Sequence, residues 1–180
     1  MTVEPALRVA ELGDAAAISE LMRDSARALF AKFYDERQAE SGTRFIASLD
    51  EALLRDRTYF LLEAAGELVA CGGWSRRDKL FTGPGDALGD TRLLDPETEP
   101  ARIRAMFVRP DWTRRGLGRR ILDACAAAAR AEGFQRLALM ATLPGEPLYL
   151  AYGFTETDRT DIRLPDGVTL RGVRMELGLT

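Results

Sequence analysis

The sequence predicts a mixed α/β fold in a single domain spanning residues 1–180. The chain has 180 residues, of which 46% are hydrophobic, and this is enough to bury one sizeable core. Short apolar runs alternate with stripes of apolar residues at helical spacing, a pattern that predicts both strands and helices. At the centre, "RIRAMFV" and "QRLALMA" flank a helical segment and form a strand–helix–strand unit. No internal repeat or linker divides the chain.

The N-terminal half predicts one strand, two helical regions and a hairpin. "LRVAEL" is a first strand, and Asp14 is a helix cap in front of an apolar stripe. A second helical region spans about residues 35–55, with Gly42 as a candidate break. "TYFLLE" and "ELVACGGW", joined by "AAG", predict a β-hairpin. The adjacent Gly72 and Gly73 indicate either a close approach to the strand backbone or a bulge at its end.

The C-terminal half begins with a long connection, residues 76–101, of the kind that often carries function. The acids between Asp86 and Glu99 are candidates for attracting a cationic amine, with a solvated acidic loop as the alternative. "RIRAMFV" follows as a strand, then a helix that ends at Gly133, then the strand "QRLALMA". "EPLYLAYGF" holds a short helix closing at Gly153, and two strands near residues 154–159 and 168–177 complete the chain.

Composition excludes several function classes. The chain contains no histidine, which removes Ser-His-Asp and Cys-His catalysis and most catalytic zinc sites, so no metal is expected. A net charge of -3 argues against nucleic-acid and membrane-surface binding. Cys71 and Cys125 are predicted to be buried thiols. Without a signal peptide or an apolar run of about 18 residues, the expected location is the cytoplasm, with no membrane contact.

The stretch "RPDWTRRGLGRR", residues 109–120, lies between a strand and a helix and therefore forms a helix N-terminus. Unpaired amides and the positive end of the helix dipole favour an anion there. Gly116 and Gly118 allow the backbone to approach a phosphate closely, and nearby charge comes from Arg114, Arg115 and Arg119. The turn is no P-loop and a poor dinucleotide fingerprint, so an ordinary glycine turn with solvated arginines is the alternative.

This context resembles the acetyl-CoA-binding motif of the GNAT-type N-acetyltransferase superfamily. Val108, Pro110, Gly116 and Gly118 match that motif, while Thr113 stands at its Gln/Arg position. "LYLAYGF" resembles the second family signature, aromatic-Tyr-x-x-x-Gly-Phe. The resemblance covers nearly the whole chain. It implies a central, mostly antiparallel sheet of about six to seven strands with a splayed central strand pair, flanked by about four helices.

The resemblance also implies how acetyl-CoA would bind as cosubstrate, between the strands "RIRAMFV" and "QRLALMA". Backbone groups of Met106, Phe107 and Val108 would meet the pantetheine amides. The pyrophosphate would be held by the backbone amides of six residues: Arg114, Arg115, Gly116, Leu117, Gly118 and Arg119. Tyr149 aligns with the tyrosine that protonates the departing thiolate in many members, while Tyr152 is expected to pack.

The acceptor side is less defined by the sequence. Trp74 is a candidate for lining an acceptor pocket, with a core tryptophan as the alternative. The strand "RIRAMFV" has no acid, so the general base is open; Glu63, Asp78 and Glu146 are candidates by position, and a bound water is another.

The predicted function is an acetyl-CoA-dependent N-acetyltransferase acting by direct attack of an amine on the thioester. The acceptor is a primary amine of a small molecule, peptide or protein, and the oligomeric state is open, a homodimer included. One alternative is a non-catalytic acyl-CoA sensor of the same fold, because of Thr113 and the missing strand acid. A DNA-binding protein using "RRGLGRR" is another, against which stand the net negative charge and the alanine-rich helix.

Overall fold

A seven-stranded sheet organises the chain in a computed structural model, which describes residues 3–79 and 92–180. Its strands are β1 Ala6–Val9, β2 Tyr59–Ala64, β3 Glu67–Ser75, β4 Ala101–Val108, β5 Arg136–Thr142, β6 Thr155–Arg163 and β7 Thr169–Gly178. The order in the sheet is β1-β2-β3-β4-β5-β7-β6, and every neighbouring pair is antiparallel except β4 and β5. The predicted mostly antiparallel sheet is confirmed.

In the described residues, five α-helices cover the two faces of the sheet. They are α1 Ala15–Phe30, α2 Glu36–Phe45, α3 Ala52–Arg55, α4 Leu117–Ala131 and α5 Glu146–Tyr152. The first three pack on one face, and α4 and α5 pack on the other, so each face has its own hydrophobic core. None of the described helices is long and apolar enough to cross a bilayer.

The α4 helix shows how the sequence builds these cores. Its buried residues recur every three or four positions, among them Ile121, Leu122 and Cys125. Burying one such leucine or isoleucine contributes about 1.5–3 kcal/mol. Both cysteines are free and buried, and burial raises the pKa of the Cys71 thiol to about 12. The prediction of buried thiols is confirmed.

Gly42 does not break the second helical region. It lies inside α2, which continues to Phe45. A Cβ on Gly42 would come within 2.7 Å of the Phe30 ring, so the glycine allows α2 to pack closely against the end of α1. This packing outweighs the low helix propensity of glycine, so the helix ends after Phe45 rather than at Gly42.

The connection predicted over residues 76–101 is described only in part, because residues 80–91, with Asp86, lie outside the described residues. Its two ends meet through an isolated bridge between Arg77 and Leu93. Arg92 forms ion pairs of 2.7 Å with Asp78 and 2.8 Å with Glu99. Glu99 is therefore engaged by an arginine of its own segment, and hydrogen bonds from Arg92 lower its pKa to about 2.

Candidate active site

The central feature is a gap between β4 and β5. The two strands pair in parallel only at Ala101 with Leu137 and Arg102 with Ala138. From there β4 follows β3 and β5 follows β7, so their facing edges have no partner among the described strands. Open backbone groups in the middle of a sheet are binding positions, because buried N–H and C=O groups need partners. The predicted splay of the central strands is confirmed.

A bulge in β4 lies where the gap begins. β4 uses three steps from Arg104 to Phe107 where β3 uses two, from Gly73 to Cys71. The extra residue is accommodated at Ala105, which has a left-handed φ of 52°. Beyond the bulge, the backbone of residues 106–108, the predicted pantetheine-binding segment, runs along the edge of the gap.

The turn that follows β4 ends in an uncapped helix. After a 3₁₀ turn over Pro110–Trp112, Arg114 and Gly116 adopt left-handed φ values of 62° and 77°. Gly116 is the N-cap of α4 and has no side chain to accept from the first-turn amides. A Cβ on Gly116 would meet nothing within 4 Å, so there is space for a side chain. The glycine is required because its left-handed backbone conformation is unfavourable for other residues. These amides and the helix dipole form an anion site.

Four of the five arginines in residues 109–120 have no ion pair with any carboxylate of the described chain: Arg114, Arg115, Arg119 and Arg120. Two of these lie over aromatic rings, Arg115 at 4.5 Å from Trp112 and Arg119 at 5.3 Å from Tyr152. Stacking holds a guanidinium in place while leaving its charge available.

Arg109 and Arg120 connect the turn to other parts of the fold. Arg109 pairs with Glu67 and Asp111, at 2.8 and 2.7 Å. Arg120 donates to the Pro5 carbonyl at 2.7 Å. Within the described chain, Arg109 is thus the one arginine of the turn whose charge is neutralised by carboxylates, while Arg115, like Arg120, donates to a backbone carbonyl, that of Asp111 at 3.3 Å.

Gly118 packs closely against α5. It is buried, and a Cβ there would come within 2.7 Å of Leu148 Cδ2. The missing side chain thus makes room for α5. The Gly118 amide lies in the first turn of α4, and its contact with a pyrophosphate stays a prediction.

The α5 helix carries both candidate tyrosines, in different surroundings. Tyr149 is buried with an exposed fraction of 8%, and its ring meets Phe154 edge-on at 5.7 Å. Its hydroxyl has no hydrogen-bond partner within the described part of the chain, and burial raises its pKa. The Tyr152 hydroxyl instead donates to Asp123 at 2.8 Å. Burial, followed by that hydrogen bond, raises the pKa of Tyr152 to about 12.

Comparison with known families decides what this arrangement belongs to. The sequence matches the model of the acetyltransferase (GNAT) family over residues 18–154, about three quarters of the chain. The chain belongs to the GNAT acetyltransferase family. Members of this family use acetyl-CoA as the acetyl donor, and both predicted signatures of this acetyltransferase fall within the matched residues.

Solved structures share the fold over nearly the full length. The GCN5-related N-acetyltransferase from Rhodopseudomonas palustris is 23% identical, with a TM-score of 0.74, covering 99% of this chain and 98% of its own. PaiA N-acetyltransferase from Thermoplasma acidophilum, solved with coenzyme A, is 16% identical, with a TM-score of 0.67 and coverage of 97% and 98%. The ribosomal-protein-S18-alanine N-acetyltransferase from Escherichia coli is 18% identical, with a TM-score of 0.59 and coverage of 98% and 94%. No protein of curated function shows significant sequence similarity to the chain.

The three candidate bases of this acetyltransferase all lie beside arginines. Glu63 accepts from Arg8 on β1, at the far edge of the sheet from the gap. Asp78 pairs with Arg92 and Arg102, whose hydrogen bonds lower its pKa. Glu146 pairs with Arg159 at 2.5 Å and lies on α5, the helix of the candidate acid. Of the three, Glu146 is the one on an element that borders the open end of the gap.

Trp74 does not line an acceptor pocket. Its exposed fraction is 1%, and it packs edge-on against Phe134 at 5.9 Å in the core beneath α4. The alternative interpretation, a core tryptophan, is correct. The fold instead forms a groove of about 920 Å³ between α1 and residues 43–55, with Arg23, Arg44 and Asp50 among its lining residues.

Two tyrosines that the sequence did not single out connect distant elements near the gap. The Tyr34 hydroxyl donates to the Arg171 carbonyl and accepts from the Leu143 amide, both at 2.9 Å, and so joins β7 to the end of β5. Tyr59 donates to the Ala105 carbonyl at the bulge. Local pattern gives no signal for either contact, because the partners lie 46 to 137 residues apart. In residues 3–79 and 92–180, no group of acids and cysteines is arranged to hold a metal ion.

Proposed function

We propose that this chain is an acetyl-CoA-dependent N-acetyltransferase acting on a primary amine of a small molecule, peptide or protein. One observation carries the proposal: β4 leads directly from the open edge of the gap into the uncapped, arginine-bearing helix start. An extended ligand with a polar arm and a phosphate-rich end fits that sequence of features, since backbone groups bind the arm and amides bind the anion.

Different residues along this path bind different parts of the ligand. The backbone of Met106, Phe107 and Val108 offers donors and acceptors to an amide-containing arm. The amides of residues 114–119 hold the pyrophosphate, with charge from Arg114, Arg115 and Arg119. Acetyl-CoA, when bound, supplies a thioester that an amine attacks directly, forming the amide and releasing the thiol.

Tyr149 is proposed to stabilise the sulfur as it leaves. Burial favours the protonated phenol, so the hydroxyl is a donor at neutral pH. An ordinary thiol has a pKa of about 8.5, lower than that of the buried phenol, so complete proton transfer to the thiolate is uphill. The hydroxyl therefore acts mainly through a hydrogen bond that strengthens as negative charge develops on sulfur.

An amine acceptor is supported by the relatives and by the simplicity of the reaction. The E. coli structure is named for an alanine of ribosomal protein S18 as its substrate. Holding an amine against the thioester supplies much of the rate acceleration, so no covalent enzyme intermediate is required. The absence of histidine is compatible with this direct route.

The test is release of free thiol from acetyl-CoA in the presence of a panel of amines, with mass spectrometry of the products. N-acetylated product formed in proportion to thiol supports the proposal. Tight acetyl-CoA binding with no turnover across small amines, peptides and proteins would favour the acyl-CoA sensor. Acetyl esters in place of amides would contradict the amine specificity.

A further inference from the structure

The bulge in β4 is held from two strands away. The Tyr59 hydroxyl on β2 donates to the carbonyl of Ala105 at 2.6 Å. Tyr59 has no exposed surface, and its side chain lies on the face covered by α1. To reach β4 from β2, the ring must pass over β3, which lies between them.

The glycine in β3 makes that passage possible. Gly73 is the register partner of Tyr59, and a Cβ on Gly73 would come within 2.8 Å of Tyr59 Cδ1. On the opposite face, a Cβ on Gly72 would come within 2.7 Å of Met106 Sδ. The paired glycines therefore fit a tyrosine on one face and the residue after the bulge on the other. These two contacts are a close approach to the strand backbone, one of the two alternatives that the adjacent glycines indicated.

The bulge needs such support. A left-handed φ is unfavourable for alanine, because the Cβ crowds the following carbonyl, and Ala105 has φ 52°. On its β5 side, β4 has lost its pairing partner beyond Arg102, so the sheet restrains this segment from one side only. The buried hydrogen bond to the Ala105 carbonyl is then a further restraint, beside the pairing with β3, on where the segment after the bulge points.

We propose that Tyr59 is a positioning residue, which holds the β4 bulge so that the backbone of Met106, Phe107 and Val108 faces the gap in its binding conformation. The inference rests on the proposed function, since that segment is proposed to bind acetyl-CoA. Tyr59 itself acts through Ala105 and touches no substrate.

The test compares Tyr59→Phe with Leu61→Val by calorimetric titration with acetyl-CoA and by NMR of the free protein. Tyr59→Phe keeps the ring and removes only the hydroxyl, and it should weaken acetyl-CoA binding about three- to tenfold. The HN–Hα coupling of Ala105, which reports φ, should move toward the value of extended backbone. Leu61→Val removes one methylene from the same buried face of β2 and should change neither quantity.

A second variant separates positioning from general destabilisation. Ala105→Gly removes the penalty for the left-handed conformation, so in this background Tyr59→Phe should change acetyl-CoA affinity by no more than about twofold. An unchanged Ala105 coupling in Tyr59→Phe, or equal losses of affinity in Tyr59→Phe and Leu61→Val, would overturn the inference. If the wild-type chain binds no acetyl-CoA, the proposed function fails, and the Ala105 coupling still decides whether Tyr59 holds the bulge.

Discussion

The Tyr152 hydroxyl donates a 2.8 Å hydrogen bond to Asp123, and this contact connects α5 to α4. Tyr149, one helical turn earlier, is a largely buried residue whose hydroxyl has no partner among the described residues. The Tyr149 hydroxyl is therefore able to donate a hydrogen bond to an atom of a bound ligand.

Tyr149→Phe should lower kcat and leave the acetyl-CoA affinity nearly unchanged, because the hydroxyl interacts mainly with the sulfur of the transition state. We expect a loss of about tenfold to a hundredfold, the low end of general-acid effects, since a thiolate is already a good leaving group. Steady-state kinetics with an identified acceptor measures it. Tyr152→Phe is the matched control and should keep most activity. If Tyr152→Phe loses activity and Tyr149→Phe keeps it, the acid is Tyr152. If both variants keep full activity, water protonates the thiolate.

Gly116→Ala and Gly118→Val should fail in different ways. At Gly116 the φ of 77° penalises any side chain by about 1–2 kcal/mol, so the turn should relax and acetyl-CoA affinity should fall. At Gly118 the added atoms meet Leu148, and overpacking costs about 1–3 kcal/mol. This should displace α5 and lower kcat more than affinity. Calorimetry and kinetics together separate the two variants. A large loss of acetyl-CoA affinity in Gly118→Val, with wild-type kcat at saturating acetyl-CoA, would instead indicate that the added side chain obstructs the phosphate.

Arg114→Gln and Arg119→Gln should each weaken acetyl-CoA binding about three- to tenfold at low salt, because both side chains lack a carboxylate partner in the described chain. The differences from wild type should shrink in about 1 M salt, where the screening length falls to about 3 Å. Arg109→Gln removes the same charge from a residue paired with Glu67 and Asp111, and is the control. An equal loss of affinity in all three variants would indicate general attraction of the anion rather than a defined site.

Asp50 should contribute to stability in a pH-dependent way. Burial opposes its ionisation, but the Ala52 amide, Arg104 and Lys79 outweigh burial and lower its pKa. A carboxyl with a lowered folded-state pKa stabilises the fold above its unfolded pKa of about 3.9, and that contribution disappears as the pH falls through the folded value. The melting temperature of wild type should therefore fall more steeply below about pH 4 than that of Asp50→Asn. Parallel pH profiles for the two proteins would contradict this.

Local sequence pattern predicted most of the elements, because strands and helices follow from spacing that a few neighbouring residues determine. Gly42 is the exception among the helices, since a contact with Phe30 outweighs its propensity. The opening between β4 and β5 followed only from the family resemblance, because apolar runs do not reveal which strands pair.

The parts of the site that the sequence did not reveal depend on contacts between distant residues. Gly118 faces Leu148, which lies thirty positions further along the chain, and Tyr59 bonds to Ala105 forty-six positions away. Arg109 resembles its neighbours in the turn, yet its partner Glu67 comes from the β2–β3 hairpin. For Trp74, by contrast, the sequence suggested a residue of an acceptor pocket, and the structure places its side chain in the hydrophobic core.

The most direct test of the account is the melting temperature of the protein with acetyl-CoA compared with S-acetylpantetheine. Both carry the thioester and the pantetheine arm, but only acetyl-CoA has the nucleotide pyrophosphate that residues 114–119 are proposed to hold. Binding to the folded state raises the melting temperature by mass action, so acetyl-CoA should produce a clear rise and S-acetylpantetheine a much smaller one at the same concentration. Equal shifts from the two compounds, or no shift with acetyl-CoA, would contradict the assignment of the gap and the turn as its binding site.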